Sequence, residues 1–420
     1  MHILNSIFGV TGDGEMTEFL NAQFFDYLCV GLSVVFFWST FIVLAGLIKP
    51  AKIHPKAMSH HRFAVLICAR NEERVIRLPV MSLLRSKYPA ENFKVIVLAD
   101  NCVDETVRRA KEAGAEVWEK TFPSSGKGDV LSWGVEKVIT DGSFDAIAVF
   151  DADNSVSDTW LLEVNDALQD GETIVTGRRQ SSNARDSLIS GWYTVYWAMM
   201  NELSNRVRTN LGLSGKLTGT GFAFTLSALG EEGWKTRTMV EDVEFTVQAN
   251  IRGRRVAYVP AAEFADEQPV SIVYMWRQLR RWSTGGWQVV RSYIGLWIRT
   301  LFLRPSLRLF DSFFAILTGM SVAFILLSDV VSIVVRMLSH DFSRSALSMS
   351  LGVVFFVCFM GWITGWAAVA LSSQKRRPSI GAIVTFPIFS IILAASLLYV
   401  LVFPTKRWKP IPHGKKSENE

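Results

Sequence analysis

Three short signatures carry side chains able to do chemistry, in a fixed order: Asp151-Ala152-Asp153, Val240-Glu241-Asp242 and Gln278-Leu279-Arg280-Arg281-Trp282. A metal-bound nucleoside diphosphate needs carboxylates for its cation, a base for an attacking hydroxyl, and cations with an aromatic ring beside the departing phosphates. The three signatures contain those parts. Asp151 and Asp153 follow Val149-Phe150, the apolar end of a strand, where two neighbouring like charges are costly without a cation. That position favours metal binding over a solvated turn, with Asp153 the direct ligand and Asp151 nearer the ribose or behind the ion. Glu241-Asp242 opens an amphipathic stretch, Val243 to Ile251, and taken alone reads as acid complementing a helix dipole. Beside a metal-nucleotide site one of the pair can accept a hydroxyl proton, and Asp242 is the candidate base. Gln278, Arg281 and Trp282 are three and four residues apart and share a helix face, which suits bidentate phosphate contact by Arg and ring stacking by Trp. A basic, aromatic helix facing a membrane accounts for the same residues equally well. Gly126-Lys127-Gly128 opens a helix where a lysine and free amides can meet phosphate, but it lacks the spacing and trailing Ser or Thr of a Walker loop, and a flexible solvated turn accounts for it equally well.

These residues need elements to position them. From His61 onward, Phe63–Cys68, Phe93–Leu98, Glu116–Trp118, Ala146–Phe150 and Thr173–Val175 read as strands, alternating with helical spacing over Glu73–Ser86, Asp104–Ala113, Lys127–Thr140 and Trp160–Leu168. The pattern predicts an α/β fold, a mainly parallel sheet with helices on both faces. In such sheets ligands gather at the carboxyl ends of strands. Arg70-Asn71-Glu72 follows the first strand, Asp100 the second and Asp151 the fourth, so one edge receives all three sets. The aromatic run Trp192, Tyr193, Tyr196, Trp197 reads as core before acceptor platform.

The chain has 420 residues, 49% of them hydrophobic, and the excess is concentrated in four stretches: Phe24–Ile48, Leu309–Val335, Leu351–Leu371 and Ile380–Phe403. Each matches the roughly 20 residues a helix needs to cross a hydrocarbon core. The expected division is an N-terminal membrane anchor over 1–50, a catalytic domain over 51–290, an interfacial amphipathic helix over 291–308 flooring the site, three membrane helices over 309–404 and a basic tail over 405–420. The first span lacks a basic leader and a small-residue cleavage site, which argues against a removable signal peptide. Lys49, Lys52, Lys56 and Arg62 on one side, and Arg291, Arg299, Arg304 and Arg308 on the other, predict a cytosolic polar region in a multi-pass cell-membrane protein. Four crossings put Lys406, Arg407, Lys409, Lys415 and Lys416 outside, against the same bias. The net charge of +5 is modest and its basic residues flank the spans, which points to lipid headgroups and away from nucleic acid. Cys29, Cys68, Cys102 and Cys358 have no paired spacing, so no disulfide frame or zinc knuckle is expected.

From Phe63 to Trp287, with the flanking spans, the chain resembles the membrane-embedded inverting family-two glycosyltransferases, the group of cellulose, hyaluronan and poly-N-acetylglucosamine synthases. The resemblance implies a GT-A (nucleotide-diphospho-sugar transferase) domain, a UDP-sugar donor and Mg2+ or Mn2+. By the same likeness Asn71, Glu72 and Asp100 hold the nucleoside, Asp151 and Asp153 the diphosphate and metal, and Lys127 contacts the diphosphate. Asp242, beside Glu241, is the base. Gly219-Thr220-Gly221-Phe222 lines the acceptor sugar, and Gln278, Arg281 and Trp282 close the diphosphate pocket and enter the acceptor channel. Ala69 stands where a Pro is usual and Val240 where a Thr is usual, departures that remove no charge. A growing β-linked polysaccharide, exported as it forms, is the expected acceptor, with N-acetylglucosamine the first sugar to try. The alternative is addition of one sugar to a lipid. A transporter or inactive scaffold is disfavoured by spans nearly free of charge, Asp329 being the clearest exception.

Overall fold

Successive strand residues face opposite ways, and the strand Phe63–Ala69 (β1) sends apolar groups to both faces of its sheet. Val65 and Ile67 join Phe150 and Trp160 on one face, whereas Ala64 and Leu66 join Ile96, Val149 and Phe245 on the other. Both faces therefore need covers. The computed structural model, which describes residues 22–338 and 343–405, contains them.

β1, β2 (Phe93–Asp100), β3 (Glu116–Lys120) and β4 (Ala146–Asp151) form a parallel half-sheet in the order β3-β2-β1-β4. The sheet continues through Phe222–Thr225, Ile174–Ser181, Ala257–Asp266 and Ser155–Val156, which in chain order are β7, β6, β8 and β5. β7 runs antiparallel to β4 and β6, while β6 and β8 are parallel. The result is mixed and mostly parallel, as expected. After α1 (Ala22–Ile48), the helices α2 (Arg77–Leu84), α3 (Thr106–Glu112) and α5 (Trp160–Gln169) put Val80, Ala110 and Val164 into one core. On the opposite face α4 (Lys127–Asp141) contributes Leu131 and Val135, and α8 (Glu241–Ile251) contributes Phe245.

The strands outlast their apolar runs. β2 and β4 end on Asp100 and Asp151, and β6 continues to Ser181 through Gly177-Arg178-Arg179-Gln180, all buried. Polar residues end the alternation expected of a strand, yet here they are paired inside a site. Glu73–Ser86 contains less helix than expected, because Val75 and Ile76 donate to the Glu72 carbonyl in a turn before α2 begins.

A continuous helical stretch follows β6: α6 (Leu188–Ala198), a wider-wound π segment Met199–Arg206, and α7 (Val207–Asn210). The 32-residue α9 (Ile272–Leu303) then runs unbroken past position 291, where a separate interfacial helix was expected. α10 (Leu307–Leu338), α11 (Arg344–Leu371) and α12 (Ile380–Val402) complete the chain, and together with 26–48 of α1 these are four helices long and apolar enough to cross a membrane. α1 packs along α10 through Ser39 and Thr318, 2.7 Å apart. The first turn of α10 is tied to the sheet domain by a buried ion pair, Arg208 Nε to Asp311 Oδ2 at 2.9 Å, with Trp38 donating to the other carboxylate oxygen. Lys406, Arg407, Lys409, Lys415 and Lys416 lie outside the described residues.

Candidate active site

The carboxyl ends of β1, β2 and β4 open on a single cavity of about 1790 Å³. Arg70, Glu72, Asp100, Lys127, Asp151, Asp153, Gly219, Glu241, Asp242, Gln278, Arg281 and Trp282 all line it. The first and third signatures begin 127 positions apart, at Asp151 and Gln278, yet all three meet in one space.

Asp100 is buried and accepts from Ser124 Oγ at 2.6 and 2.7 Å, with Arg70 at 3.6 Å. This ties the β2 end to the loop preceding α4. At the start of α4, Lys127 Nζ meets the Asp151 carboxylate, donates to the Gly219 carbonyl at 2.6 Å, and lies 3.8 Å from Glu241 Oε1. Burial works against its charge, but Asp151 and Glu241 more than offset that, and the Lys127 pKa rises above the lysine range. The Asp151 amide donates to Thr220 Oγ1 at 2.9 Å and Asn154 Nδ2 to Asp153 Oδ1 at 3.1 Å.

Glu241 and Asp242 are both buried at the amino terminus of α8. Burial lifts Glu241 to about 7; Lys127 opposes the rise and Asp242 adds to it. Burial also raises Asp242, against the Val243 amide, Lys127, Arg281 and Lys216. The loop before them is shaped by Glu244 Oε2, which accepts from the Arg237 and Thr238 amides at 2.8 and 2.7 Å. Because Glu241 holds its proton more tightly when folded, its contribution to stability is full below about pH 4.5 and is lost as pH rises through about 7. Glu241→Gln is therefore expected to unfold later than the parent at pH 8, by on the order of 1 kcal/mol, with the gap closing towards pH 5. Thermal melts in detergent across that range measure it.

On α9, Leu279 is buried in the helix-packing core while Gln278, Arg281 and Trp282 face the cavity. Arg281 reaches the Met239 carbonyl at 3.5 Å, and the buried Gln278 Oε1 has no hydrogen-bond partner among the described residues. Trp282 stacks on Tyr196 with ring centres 5.9 Å apart, and Tyr193 and Trp197 meet it edge-on. The aromatic run thus divides: Trp192 and Tyr193 pack in the core, and Tyr196 and Trp197 also border the cavity.

Several expected site residues are placed elsewhere. Asn71 does not line the cavity; it adopts φ 57° and its Oδ1 accepts from the Val103 amide at 2.9 Å, stapling two loops. Thr220 and Phe222 are fully buried, and Gly221 has φ 64° with a Cβ position only 2.0 Å from the Phe264 ring. Of the four residues expected to line the acceptor, only Gly219 borders the cavity; Thr220 instead orients Asp151, and Phe222 is core. The stretch of α9 that floors the site is 273–288, not 291–303.

Other contributors had weaker signals. Arg179 of β6 pairs with Asp266, donates to the Thr218 carbonyl at 2.6 Å and lies 3.8 Å over Trp197. Its signal was an Arg pair directly after an apolar run, at the same sheet edge as Asp151. Lys216 had no spacing to mark it.

Asp151 and Asp153 are two hard oxygen donors, and among the described residues no group of three His, Cys, Asp or Glu forms a metal cage. That donor set fits a cation held by one or two carboxylates and completed by substrate phosphates, the usual arrangement for Mg2+.

Residues 60–285 match the family model described as glycosyltransferase like family 2. "Probable glycosyltransferase YdaM" of Bacillus subtilis is 26% identical over 326 residues, 75% of each chain. The β-monoglucosyldiacylglycerol synthase of Nostoc is 27% identical over 250 residues, 56% of this chain and 50% of that one, so the match spans half of that relative. The poly-β-1,6-N-acetyl-D-glucosamine synthase of Staphylococcus aureus is 25% identical over 283 residues, 64% of this chain and 66% of that protein. Among solved structures, mannosyltransferase PcManGT from Pyrobaculum calidifontis, in complex with GDP-Man and Mn2+, superposes with a TM-score of 0.59. It covers 89% of this chain and 99% of its own at 15% identity, a likeness of fold. The sheet domain is thus a GT-A fold, and the chain belongs to glycosyltransferase family 2, with four helices among the described residues long and apolar enough to cross a membrane.

Proposed function

We propose that the enzyme moves a sugar from a UDP-sugar, with inversion, onto a hydroxyl of a growing β-linked polysaccharide at the cytosolic membrane face. The observation that carries this reading is the single cavity shared by Asp151, Asp153, Lys127, Asp242, Arg281 and Trp282. Asp242 accepts the proton of the acceptor hydroxyl as its oxygen bonds to the anomeric carbon and the bond to the diphosphate oxygen breaks on the opposite face. Lys127 and Arg281 take up the charge of the departing diphosphate. Asp151 and Asp153 would hold Mg2+ or Mn2+, which supplies Lewis-acid neutralisation of the phosphates. Tyr196 and Trp282 offer stacked rings to an acceptor sugar. The route involves no side-chain nucleophile.

A second reading, one sugar added to a lipid, is favoured by a specific feature: towards the membrane the cavity is bordered by Ile316, Gly319 and Met320 of α10 and Leu393 and Leu397 of α12. Purified enzyme with Mn2+ or Mg2+ and radiolabelled UDP-glucose, UDP-N-acetylglucosamine or UDP-glucuronate, followed by product sizing, separates the two. Chains of many sugars support the polymer reading; single-sugar lipids alone reject it.

The expected arrangement of anchor, cytosolic catalytic domain and C-terminal helices remains our reading, with one refinement. α12 stays against the catalytic side along its length: Trp192 donates to Thr385 at 2.9 Å, Ser283 meets Ser396 at 2.7 Å, Trp287 donates to the Leu397 carbonyl at 3.0 Å and the Thr405 amide to Thr284 Oγ1 at 3.1 Å. Contacts at both ends of α12 with the same side support three crossings, by α1, α10 and α11, and a basic tail on the cytosolic side in keeping with the positive-inside bias. A cysteine at position 405, in a chain with its native cysteines replaced, is expected to react with an impermeant maleimide in inverted vesicles and not in intact cells. The reverse pattern defeats the three-crossing reading.

A further inference from the structure

The turn that delivers Glu241 and Asp242 is gripped from outside by one face of α9. Gln288 Oε1 accepts from the Met239 amide at 3.0 Å, and Arg281 Nη1 reaches the Met239 carbonyl at 3.5 Å. Between them on the helix, Gly285 lies against the buried Val240, so closely that a Cβ there would be 2.7 Å from both Val240 methyls and 3.1 Å from the Val240 Cβ. Residues 281, 285 and 288 are four and three apart and form one stripe of the helix. Val240 also shares a small apolar core with Val289 of α9, which holds the two elements together beside that contact. Gly295 of the same helix has no such neighbour, since a Cβ there would meet nothing within 4 Å.

α9 cannot retreat from this contact without losing its support on the other side. There Ser283 Oγ meets Ser396 Oγ of α12 at 2.7 Å, and Trp287 Nε1 donates to the Leu397 carbonyl at 3.0 Å. The earlier part of the turn is held by α8, whose Glu244 carboxylate takes the Arg237 and Thr238 amides and whose Glu244 amide donates to the Val240 carbonyl at 3.0 Å. Val240 is the cap of α8, so a shift at Val240 displaces the first helical turn, which carries both acids. We propose that Gly285 and Gln288 are positioning residues: the bare helix surface at Gly285 and the Gln288 carbonyl fix Met239 and Val240, and through them aim the Asp242 carboxylate at the acceptor hydroxyl. This rests on the reading of Asp242 as base. The Arg281 contact with Met239 is long, which leaves that guanidinium to the diphosphate.

The test compares the detergent-purified parent with Gly285→Ala, Val240→Ala, the two combined, and Gly295→Ala. Turnover is read on whichever of radiolabelled UDP-glucose, UDP-N-acetylglucosamine or UDP-glucuronate the parent consumes, and UDP binding with Mn2+ by isothermal titration. Displacing the base by a fraction of an ångström is expected to lower kcat of Gly285→Ala by about 10²-fold. UDP affinity stays within about threefold, so the loss is confined to the reacting step. Val240→Ala in the same chain removes the methyls that collide and returns most of the rate, while Gly295→Ala stays at the parent rate. A Gly285→Ala rate near the parent, a parallel loss of UDP affinity, or a loss that Val240→Ala does not relieve overturns the proposal. If Gly285→Ala does not fold, Gln288 decides. Gln288→Met removes the acceptor of the Met239 amide and is expected to lower kcat by about 10-fold with UDP binding kept, and Gln288→Glu, which retains an acceptor oxygen, to recover it. An unchanged rate in Gln288→Met, an equal loss in both, or weaker UDP binding in Gln288→Met overturns it equally. Asp242→Asn, run alongside, tells the two failures apart: activity near the parent level removes Asp242 as base, whereas an inactive Asp242→Asn beside unaffected Gly285→Ala and Gln288→Met removes only the role of α9.

Discussion

Asp242→Asn is expected to lower kcat by roughly 10³-fold or more, near the upper end of what a positioned general base contributes. Asparagine keeps the shape and the backbone contacts at the start of α8, so donor binding should hold while proton acceptance is lost. Isothermal titration with UDP alongside turnover assays separates the two. The same carboxylate sets the acid limb of the parent's pH profile. Burial raises its pKa, so it takes up a proton at higher pH than an exposed aspartate, and activity falls on acidification before the ordinary aspartate range is reached. A variant that keeps most of its turnover, or loses it only through weaker UDP binding, is incompatible with Asp242 as base.

Lys127→Met is expected to reduce kcat/KM for the donor by about 10²- to 10³-fold, as when one preorganised donor to a developing negative charge is removed. The lysine serves three oxygens, on Asp151, Gly219 and Glu241. Methionine leaves them without their shared cation, so Asp151 and the buried Glu241 lose the charge between them that would also meet an incoming phosphate. Lys127→Arg should recover little, because a planar guanidinium cannot occupy a site shaped for a compact ammonium. Activity within about threefold of the parent in Lys127→Met would show that Lys127 neutralises its neighbours without meeting the donor.

Much of the arrangement was legible because the relevant residues interrupt strong patterns. Asp100 and Asp151 end apolar strands, and α/β sheets present strand ends to one edge, so their convergence followed from period and topology. Helical spacing put Gln278, Arg281 and Trp282 on one face but left a membrane-facing helix equally possible; their place at the cavity comes from the packing of α9. Of β6 only the start was legible, at Thr173–Val175, since Arg178 to Ser181 are polar yet buried, and only tertiary pairing such as Arg179 with Asp266 explains how they stay in a strand. Gly219 to Phe222 misled for a related reason. The chain turns inward after Gly219, and strand alternation then carries Phe222 into the core beside Trp234. Asn71 is polar and next to the edge, but its left-handed backbone turns its amide to a neighbouring loop. Hydropathy marked α12 as apolar enough to cross a membrane, and its contacts with α6 and α9, which carry the three-crossing proposal, have no signal in sequence.

The central claim is that one cavity sets a base and a leaving-group site on opposite faces of the donor's anomeric carbon, giving a single displacement. The most direct test is the anomeric configuration of the first product formed from an α-linked UDP-sugar, read by NMR before any secondary processing. A β linkage is the predicted result; an α linkage would contradict the account.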